Sequence, residues 1–306
     1  MSSFDDTGTT VRALKVNGIT VNVATAGRGP AVLLLHGWPH TRRLWHRLIP
    51  LLAPDHRVIA PDLRGTGGTT RSDDGYDLVT LSDDAEALLD ALEVDEASVV
   101  GIDLGVSIAT MLALRRPSRV NRLIVMEGLV GALPGAERFL SKGPPWWFGF
   151  HAVPGLAETV LVGHEDEYIS WFLRNGTADR QGIDEDSRRA FVAAYTGRNG
   201  LRGGFEHYRG FAAGARQLSE AVESSELRVP TLAIAGGVVG DATRSQLQPI
   251  AKDLSSVAID RCGHLIPLEQ PDDLARVLKA FLESRGTISS DTSGGRSVPH
   301  RHGGAP

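Results

Sequence analysis

The chain has 306 residues, of which 42% are hydrophobic, and its formal net charge at pH 7 is −5. This length and composition allow a sizeable core, in two domains or in one domain with an insertion. No basic run interleaves with aromatic residues, which argues against a nucleic-acid partner, and no apolar run is long enough to span a bilayer.

The expected compartment is the cytoplasm. The N-terminal stretch lacks the positively charged start and apolar run of a secretory signal. Cys262 is the single cysteine, which excludes an internal disulfide framework and fits a reducing environment. We interpret Cys262 as a small packed thiol. A homodimer is possible, and the oligomeric state stays open.

In chain order, the first predicted feature is an antiparallel pair of strands on either side of Asn17-Gly18, a strong hairpin signal. Short apolar runs then predict strands that are buried on both faces, as in parallel sheets, at 31–35, 57–60, 97–102, 122–126, 231–235 and 256–260. Helical patterns lie between them, one over 80–94 with a capping-box start at Thr80 and Asp83, and one over 274–282. The alternation predicts an α/β fold, with a mostly parallel sheet flanked by helices.

The alternation stops between about 131 and 225. This segment enters through a Pro/Gly-rich stretch, continues as amphipathic helices and shows no convincing strand. We predict an inserted helical cap at 131–225, between core parts at 1–130 and 226–285. The polar, Gly/Ser-rich end at 286–306 is predicted to be a disordered tail.

Asp103 stands at the centre of the stretch VVGIDLGVSIAT, which is typical of a buried strand, a sharp turn and a helix. Gly101 and Gly105 flank it, as expected where a strained bend leaves no room for neighbouring side chains. The start of the following helix favours negative charge at the tip of the turn. By itself the pattern fits a helix N-cap equally well. Three further segments accompany it in order: LLLHGWPH at 33–40, PDLRGTGGT at 61–69 and DRCGHLIPLEQPDDL at 260–274.

Together these four segments resemble the α/β-hydrolases, and the resemblance covers about residues 10–285. An aspartate at the turn resembles the epoxide hydrolase-like branch, in which a carboxylate attacks an sp³ carbon and forms an alkyl ester. The resemblance implies that Asp103 is the nucleophile and that His264 activates the water that cleaves the ester. It also implies that backbone N–H groups of Trp38 and Leu104 form the oxyanion hole, with no metal or organic cofactor.

The acid that orients His264 has two candidates. Members of this family place it after either of two strands. Glu127 ends one of these strands, and Asp241 lies two residues beyond the matching position after the other. Glu127 is preferred, and its alternative role is to pair with Arg122 or Arg138.

The resemblance places donors for the epoxide oxygen in the cap. Tyr208 is the expected proton donor. Trp146 and Trp147 occupy the position of the second donor, where an indole N–H can donate a hydrogen bond without releasing a proton. Their alternative role is packing. Tyr168 and Tyr195 are weaker donor candidates.

The expected function is hydrolysis of an organic epoxide to a vicinal diol, with the epoxide and water as partners. Leu104 stands where haloalkane dehalogenases carry Trp and fluoroacetate dehalogenases carry Arg. Because neither Trp nor Arg is present at this position, a hydrolytic haloalkanoate or haloalkane dehalogenase is the second candidate and not the first. A non-catalytic small-ligand receptor is the third, since fold does not determine function.

Overall fold

The computed structural model describes residues 8–284, so the disordered tail predicted at 286–306 lies outside the described residues. Within the described range, eight strands form one sheet in the order β1-β2-β4-β3-β5-β6-β7-β8. The strands are β1 (Thr10–Val16), β2 (Ile19–Ala26), β3 (Ala31–Leu35), β4 (Arg57–Pro61), β5 (Ala97–Ile102), β6 (Val120–Met126), β7 (Thr231–Ala235) and β8 (Leu254–Ala258). The β1–β2 and β2–β4 pairs are antiparallel, and the remaining pairs are parallel.

The helices of the same range are α1 (Ile49–Leu52), α2 (Leu78–Ala91), α3 (Leu104–Arg115), α4 (Trp146–Ala152), α5 (Leu156–Leu161), α6 (Glu165–Asn175), α7 (Glu185–Ala194), α8 (Gly197–Ser224), α9 (Ala242–Leu247), α10 (Ile266–Glu269) and α11 (Pro271–Glu283). None of the helices between residues 8 and 284 is both long enough and apolar enough to cross a bilayer.

Alternate residues of the central strands enter two hydrophobic clusters, one on each face of the sheet. In β3, Val32 and Leu34 belong to the first cluster, and Leu33 and Leu35 belong to the second. The two-residue period of a strand turns successive side chains to opposite faces, so a strand covered on both sides must be apolar throughout. This burial explains why the predicted parallel strands are nearly continuous apolar runs.

The hairpin at Asn17-Gly18 and the predicted α/β sheet are confirmed. Some predicted boundaries are wrong, and the strand predicted at 122–126, for example, begins at Val120. The strand predicted at 256–260 is β8, which begins at Leu254 because Leu254 pairs with Thr231 at the start of β7. The predicted capping box at Thr80 is also wrong, because α2 begins at Leu78. Asp77 is its N-cap, and the Asp77 side chain accepts the Thr80 N–H at 3.1 Å.

Residues 131–225, called the helical segment below, connect β6 to the strand next to it, β7. In the described structure this segment contains helices α4 to α8 and no strand. Its longest helix, α8, packs against α2 and α3 of the sheet-flanking layer and against α4 and α5 of its own segment. The helical segment is therefore joined to the core along a helix of 28 residues.

Candidate active site

Asp103 occupies the turn between β5 and α3 with φ 55° and ψ −120°. A positive φ is rare for a residue that carries a side chain, and such strain is found where the surrounding structure enforces it. The neighbouring backbone leaves no space for side chains. A Cβ atom on Gly101 would lie 2.3 Å from the carbonyl oxygen of Gly105, and one on Gly105 would lie 2.3 Å from that of Leu35. The turn therefore holds the Asp103 carboxylate at the end of the central strands.

The two oxygens of the Asp103 carboxylate have different surroundings. Oδ1 accepts the backbone N–H of Trp38 at 2.8 Å, and Oδ2 lies 3.5 Å from Nε2 of His264. Burial raises the pKa of Asp103, while the charge of His264 and the N–H groups of Trp38 and Leu104 oppose the rise. The N–H groups predicted for the oxyanion hole thus converge on this carboxyl group.

His264 lies between two carboxylates. Its Nδ1 atom is 3.6 Å from Oε2 of Glu127, on the opposite side of the ring from Asp103. Burial acts to lower the pKa of His264, but the nearby carboxylates of Glu127 and Asp103 outweigh it, so the pKa is raised. Both separations are longer than an ordinary hydrogen bond.

Glu127 is fully buried and held by the loop that follows β7. Its Oε1 atom accepts the N–H groups of Gly236 and Gly240 at 2.7 and 3.0 Å, and its Oε2 atom accepts that of Val239 at 2.8 Å. Burial acts to raise the pKa of Glu127, but His264 and the backbone donors outweigh it, and the pKa is lowered. Glu127 is therefore a buried carboxylate that is stabilised in its ionised form.

The other acid considered from the sequence lies elsewhere. The Asp241 side chain is 70% exposed and pairs with Arg244 at 3.6 Å. Of the two arginines predicted as alternative partners of Glu127, Arg122 donates instead to the carbonyl oxygens of Phe281 and Ser284. The structure thus brings Glu127 to His264, and places Asp241 at the surface.

Tyr208 projects from α8 into the cavity above Asp103, and is 6% exposed. Burial and then the charge of Asp103 raise its pKa well above the usual range, opposed by a hydrogen bond from the Trp147 side chain. The phenol is therefore protonated at neutral pH and can donate. Trp147 also lines the cavity, whereas Trp146 does not. Trp146 is 55% exposed and its ring packs edge-on against Trp171, so it is removed from the predicted donor set.

A cavity of about 330 Å³ separates the helical segment from the ends of the strands. Core residues such as Asp103 and His264 line one side, and aromatic residues such as Phe148, Phe172 and Phe211 line the other. Among the described residues that line it, no lysine or arginine is present. The cavity is therefore mainly apolar, and its polar lining includes Asp103, His264 and Tyr208.

Residues 30–271 match the family described as the alpha/beta hydrolase fold. The chain belongs to this family. This hydrolase is 30% identical to the soluble epoxide hydrolase of Corynebacterium sp., over 84% of the chain and 91% of the relative. It is 26% identical to the fluoroacetate dehalogenase of Burkholderia sp., over 89% and 93%. The solved structure of epoxide hydrolase A from Mycobacterium thermoresistibile aligns with a TM-score of 0.79 at 25% identity, over 90% of this chain and 98% of that one.

Three further side chains of the hydrolase, those of Tyr168, Tyr195 and Cys262, belong to residue types that can take part in catalysis. The Tyr195 hydroxyl donates to the His40 carbonyl oxygen at 2.7 Å, and the Tyr168 hydroxyl pairs with Nε2 of His151 at 2.6 Å. Neither tyrosine lines the cavity. Cys262 is buried beside the Ile259 carbonyl oxygen, and burial raises the pKa of its thiol to about 12. All three are thus occupied by packing or by contacts away from Asp103.

Sequence reasoning missed two residues of the hydrolase near His264. His40 lines the cavity with both ring nitrogens unpaired, and its ring centre lies 6.0 Å from that of His264. Glu269 binds the backbone on both sides of His264. His40 ends the quoted HGWPH segment and Glu269 lies in the quoted histidine segment. Both residues therefore lie in segments that the sequence already marked, but only the folded chain shows which atoms their side chains face.

Proposed function

We propose that this hydrolase opens an organic epoxide to a vicinal diol through a covalent ester at Asp103. The observation that carries the proposal is the partly buried Asp103 carboxylate, held by the Trp38 N–H at 2.8 Å and facing Tyr208 across an apolar cavity. An ionised carboxylate needs no base to attack an sp³ carbon, whereas an epoxide oxygen needs a proton donor to leave. Water is the second substrate, and the helical segment acts as the cap.

In the first step, an oxygen of Asp103 forms a bond to an epoxide carbon, and the carbon–oxygen bond of the ring breaks. The electron pair of that bond moves to the epoxide oxygen, which takes the proton of Tyr208. Trp147 stabilises the developing negative charge through its indole N–H. The products of this step are an alkyl ester on Asp103, with a neighbouring hydroxyl group, and a Tyr208 phenolate.

In the second step, His264 takes a proton from water as the water oxygen attacks the Asp103 carboxyl carbon. Trp38 and Leu104 hold the oxyanion through their N–H groups. When the ester bond breaks, the imidazolium protonates the leaving alkoxide, and the diol is released. The carboxylic acid left on the enzyme loses its proton, which returns to the tyrosine phenolate. Glu127 stabilises the imidazolium during this exchange.

The two named relatives suggest different substrates. One is an epoxide hydrolase and the other a fluoroacetate dehalogenase. Fluoroacetate is an anion, and moving a charge out of water is costly unless an opposite charge is paired with it. Since the described residues lining the cavity include no lysine or arginine, the cavity favours an uncharged substrate. An epoxide fits this environment better than a halocarboxylate.

The test compares styrene oxide with fluoroacetate, with diol formation and fluoride release as the readouts. A single turnover in ¹⁸O-labelled water should give a diol whose new oxygen comes from Asp103, with the label then retained in the peptide that contains this residue. His264→Gln should accumulate an ester, seen as a mass increase of the intact protein. A first diol that carries solvent oxygen would contradict the covalent step. Fluoride release without diol would indicate the dehalogenase, and binding without turnover the receptor.

A further inference from the structure

Glu269, the last residue of α10, lies beside the loop that carries His264. Its Oε1 atom accepts the N–H groups of Gly263 at 2.9 Å and Leu265 at 3.1 Å, the two residues that flank the histidine. Its Oε2 atom accepts the Gly263 N–H at 3.0 Å and that of Ala178 at 2.8 Å. Ala178 belongs to the helical segment. One carboxylate therefore binds the histidine loop and the helical segment at the same time.

The helical segment also contacts the histidine loop directly. The backbone N–H of His264 donates to the carbonyl oxygen of Gly176 at 2.6 Å. The two backbones are so close that a Cβ atom on Gly263 would lie 2.2 Å from that oxygen. Gly176 lines the cavity together with Phe172 and Asn175 of α6. The stretch that would contact a substrate is thus the stretch that supports the histidine.

We infer that Glu269 is a positioning residue, which couples the placement of the helical segment over the cavity to the orientation of His264 during ester hydrolysis. The inference rests on the proposed function. His264 lies 3.5 Å from Asp103 and 3.6 Å from Glu127 on opposite sides of its ring, so a small movement or rotation of its loop would change both distances. Even a small displacement of His264 would change the rate of ester hydrolysis strongly, because proton transfer requires close alignment of donor and acceptor.

The two chemical steps should depend on Glu269 differently. Ester formation uses the Asp103 carboxylate and needs no base, whereas ester hydrolysis needs a correctly oriented, neutral His264. The charged or titratable groups that face His264 are Asp103, Glu127, His40 and Glu269. The negative charge of Glu269 contributes to the raised pKa of His264, so its removal should lower that pKa.

The test is Glu269→Gln, which keeps the shape but loses the charge and one acceptor oxygen. With styrene oxide and rapid quenching, the ester is followed by intact-protein mass spectrometry. We expect an unchanged rate of ester formation, ester hydrolysis slowed roughly 10- to 100-fold, and the pH midpoint of hydrolysis moved to lower pH. Glu269→Asp keeps the charge on a shorter chain, so it should slow hydrolysis while leaving the midpoint closer to wild type.

Glu165→Gln is the matched control. The Glu165 carboxylate accepts the N–H groups of Gly197 at 2.8 Å and Gly163 at 2.9 Å, and so makes the same kind of contact inside the helical segment. It should lower Tm without changing the ratio of the two rates or the pH midpoint. If both glutamine variants behave alike, or if Glu269→Gln slows the two steps equally, Glu269 is only structural. Absence of any ester in the wild type would overturn the proposed function, and the inference with it.

Discussion

Replacing Glu127 by glutamine should stop the reaction after ester formation. The amide has one acceptor oxygen in place of two, and the N–H contacts decide which way it points. With its oxygen at the Oε1 position it keeps the donors of Gly236 and Gly240, and its NH₂ group opposes only the Val239 N–H. The reverse orientation would oppose two backbone donors. The first orientation is therefore preferred, and one buried unpaired N–H costs about 1–3 kcal/mol of stability.

In the preferred orientation the amide NH₂ group points at Nδ1 of His264, which lies 3.6 Å from the atom replaced. Donation to Nδ1 leaves the ring proton on Nε2, the nitrogen that should take a proton from water. The equivalent amide substitution in a serine-protease triad lowers turnover about 10⁴-fold for this reason. We expect ester hydrolysis to slow by roughly 10²–10⁴-fold, with ester formation unchanged, because the first step needs no base.

The assay is rapid quenching with intact-protein mass spectrometry, combined with thermal unfolding. In Glu127→Gln the ester should persist, and the free energy of unfolding should fall by the amount given above. Asp241→Asn is the control, because this exposed side chain makes only a surface ion pair with Arg244. Asp241→Asn should change the free energy of unfolding by less than about 0.5 kcal/mol, and should leave the rates of ester formation and ester hydrolysis unchanged. Normal turnover in Glu127→Gln together with loss of hydrolysis in Asp241→Asn would refute the reasoning.

Three further predictions concern the donors, the base and the turn. In pre-steady-state kinetics, Tyr208→Phe should slow ester formation by at least about 10²-fold, and Trp147→Phe should slow it by about tenfold. Wild-type rates in both variants would exclude Tyr208 and Trp147 as donors. The negative charge of Asp103 helps to raise the pKa of His264, and this charge disappears when the ester forms. Ester hydrolysis should therefore be lost on acidification with a midpoint below the pKa of His264 that NMR measures in the free protein. A midpoint equal to that pKa or above it would contradict this prediction. Gly105→Ala should lower the free energy of unfolding by about 1–3 kcal/mol in denaturant, because its Cβ would meet the backbone of β3. Gly149→Ala places a Cβ in open space on α4 and should raise the free energy of unfolding by about 0.5–1 kcal/mol. The opposite order of the two variants would refute the packing argument.

The sequence alone determined the features that depend on local rules. The strands of the parallel sheet could be predicted because burial on both faces requires a nearly continuous apolar run, as in β3 and β5. The hairpin could be predicted because tight hairpin turns require positive φ, which Asn and Gly adopt readily, and both Asn17 and Gly18 have positive φ. The turn at Asp103 could be recognised because Gly101 and Gly105 leave room for a close approach of backbone atoms.

Only the tertiary structure decided which side chains meet. Trp146 and Trp147 are adjacent on α4, and successive helical residues point about 100° apart, so one is exposed and the other lines the cavity. The start of α2 depended on which of several nearby polar residues accepts the free N–H groups, and Asp77 does so. Neither choice leaves a distinct mark in the sequence pattern.

The choice between Glu127 and Asp241 was decided by the loop after β7. Both acids follow neighbouring strands of the sheet, β6 and β7, so the order of the strands does not separate them. The loop turns its N–H groups of Gly236, Val239 and Gly240 onto the Glu127 carboxylate, and leaves Asp241 in solvent. A buried charge is stable only where such donors converge, and that convergence exists only once distant segments of the chain have packed together.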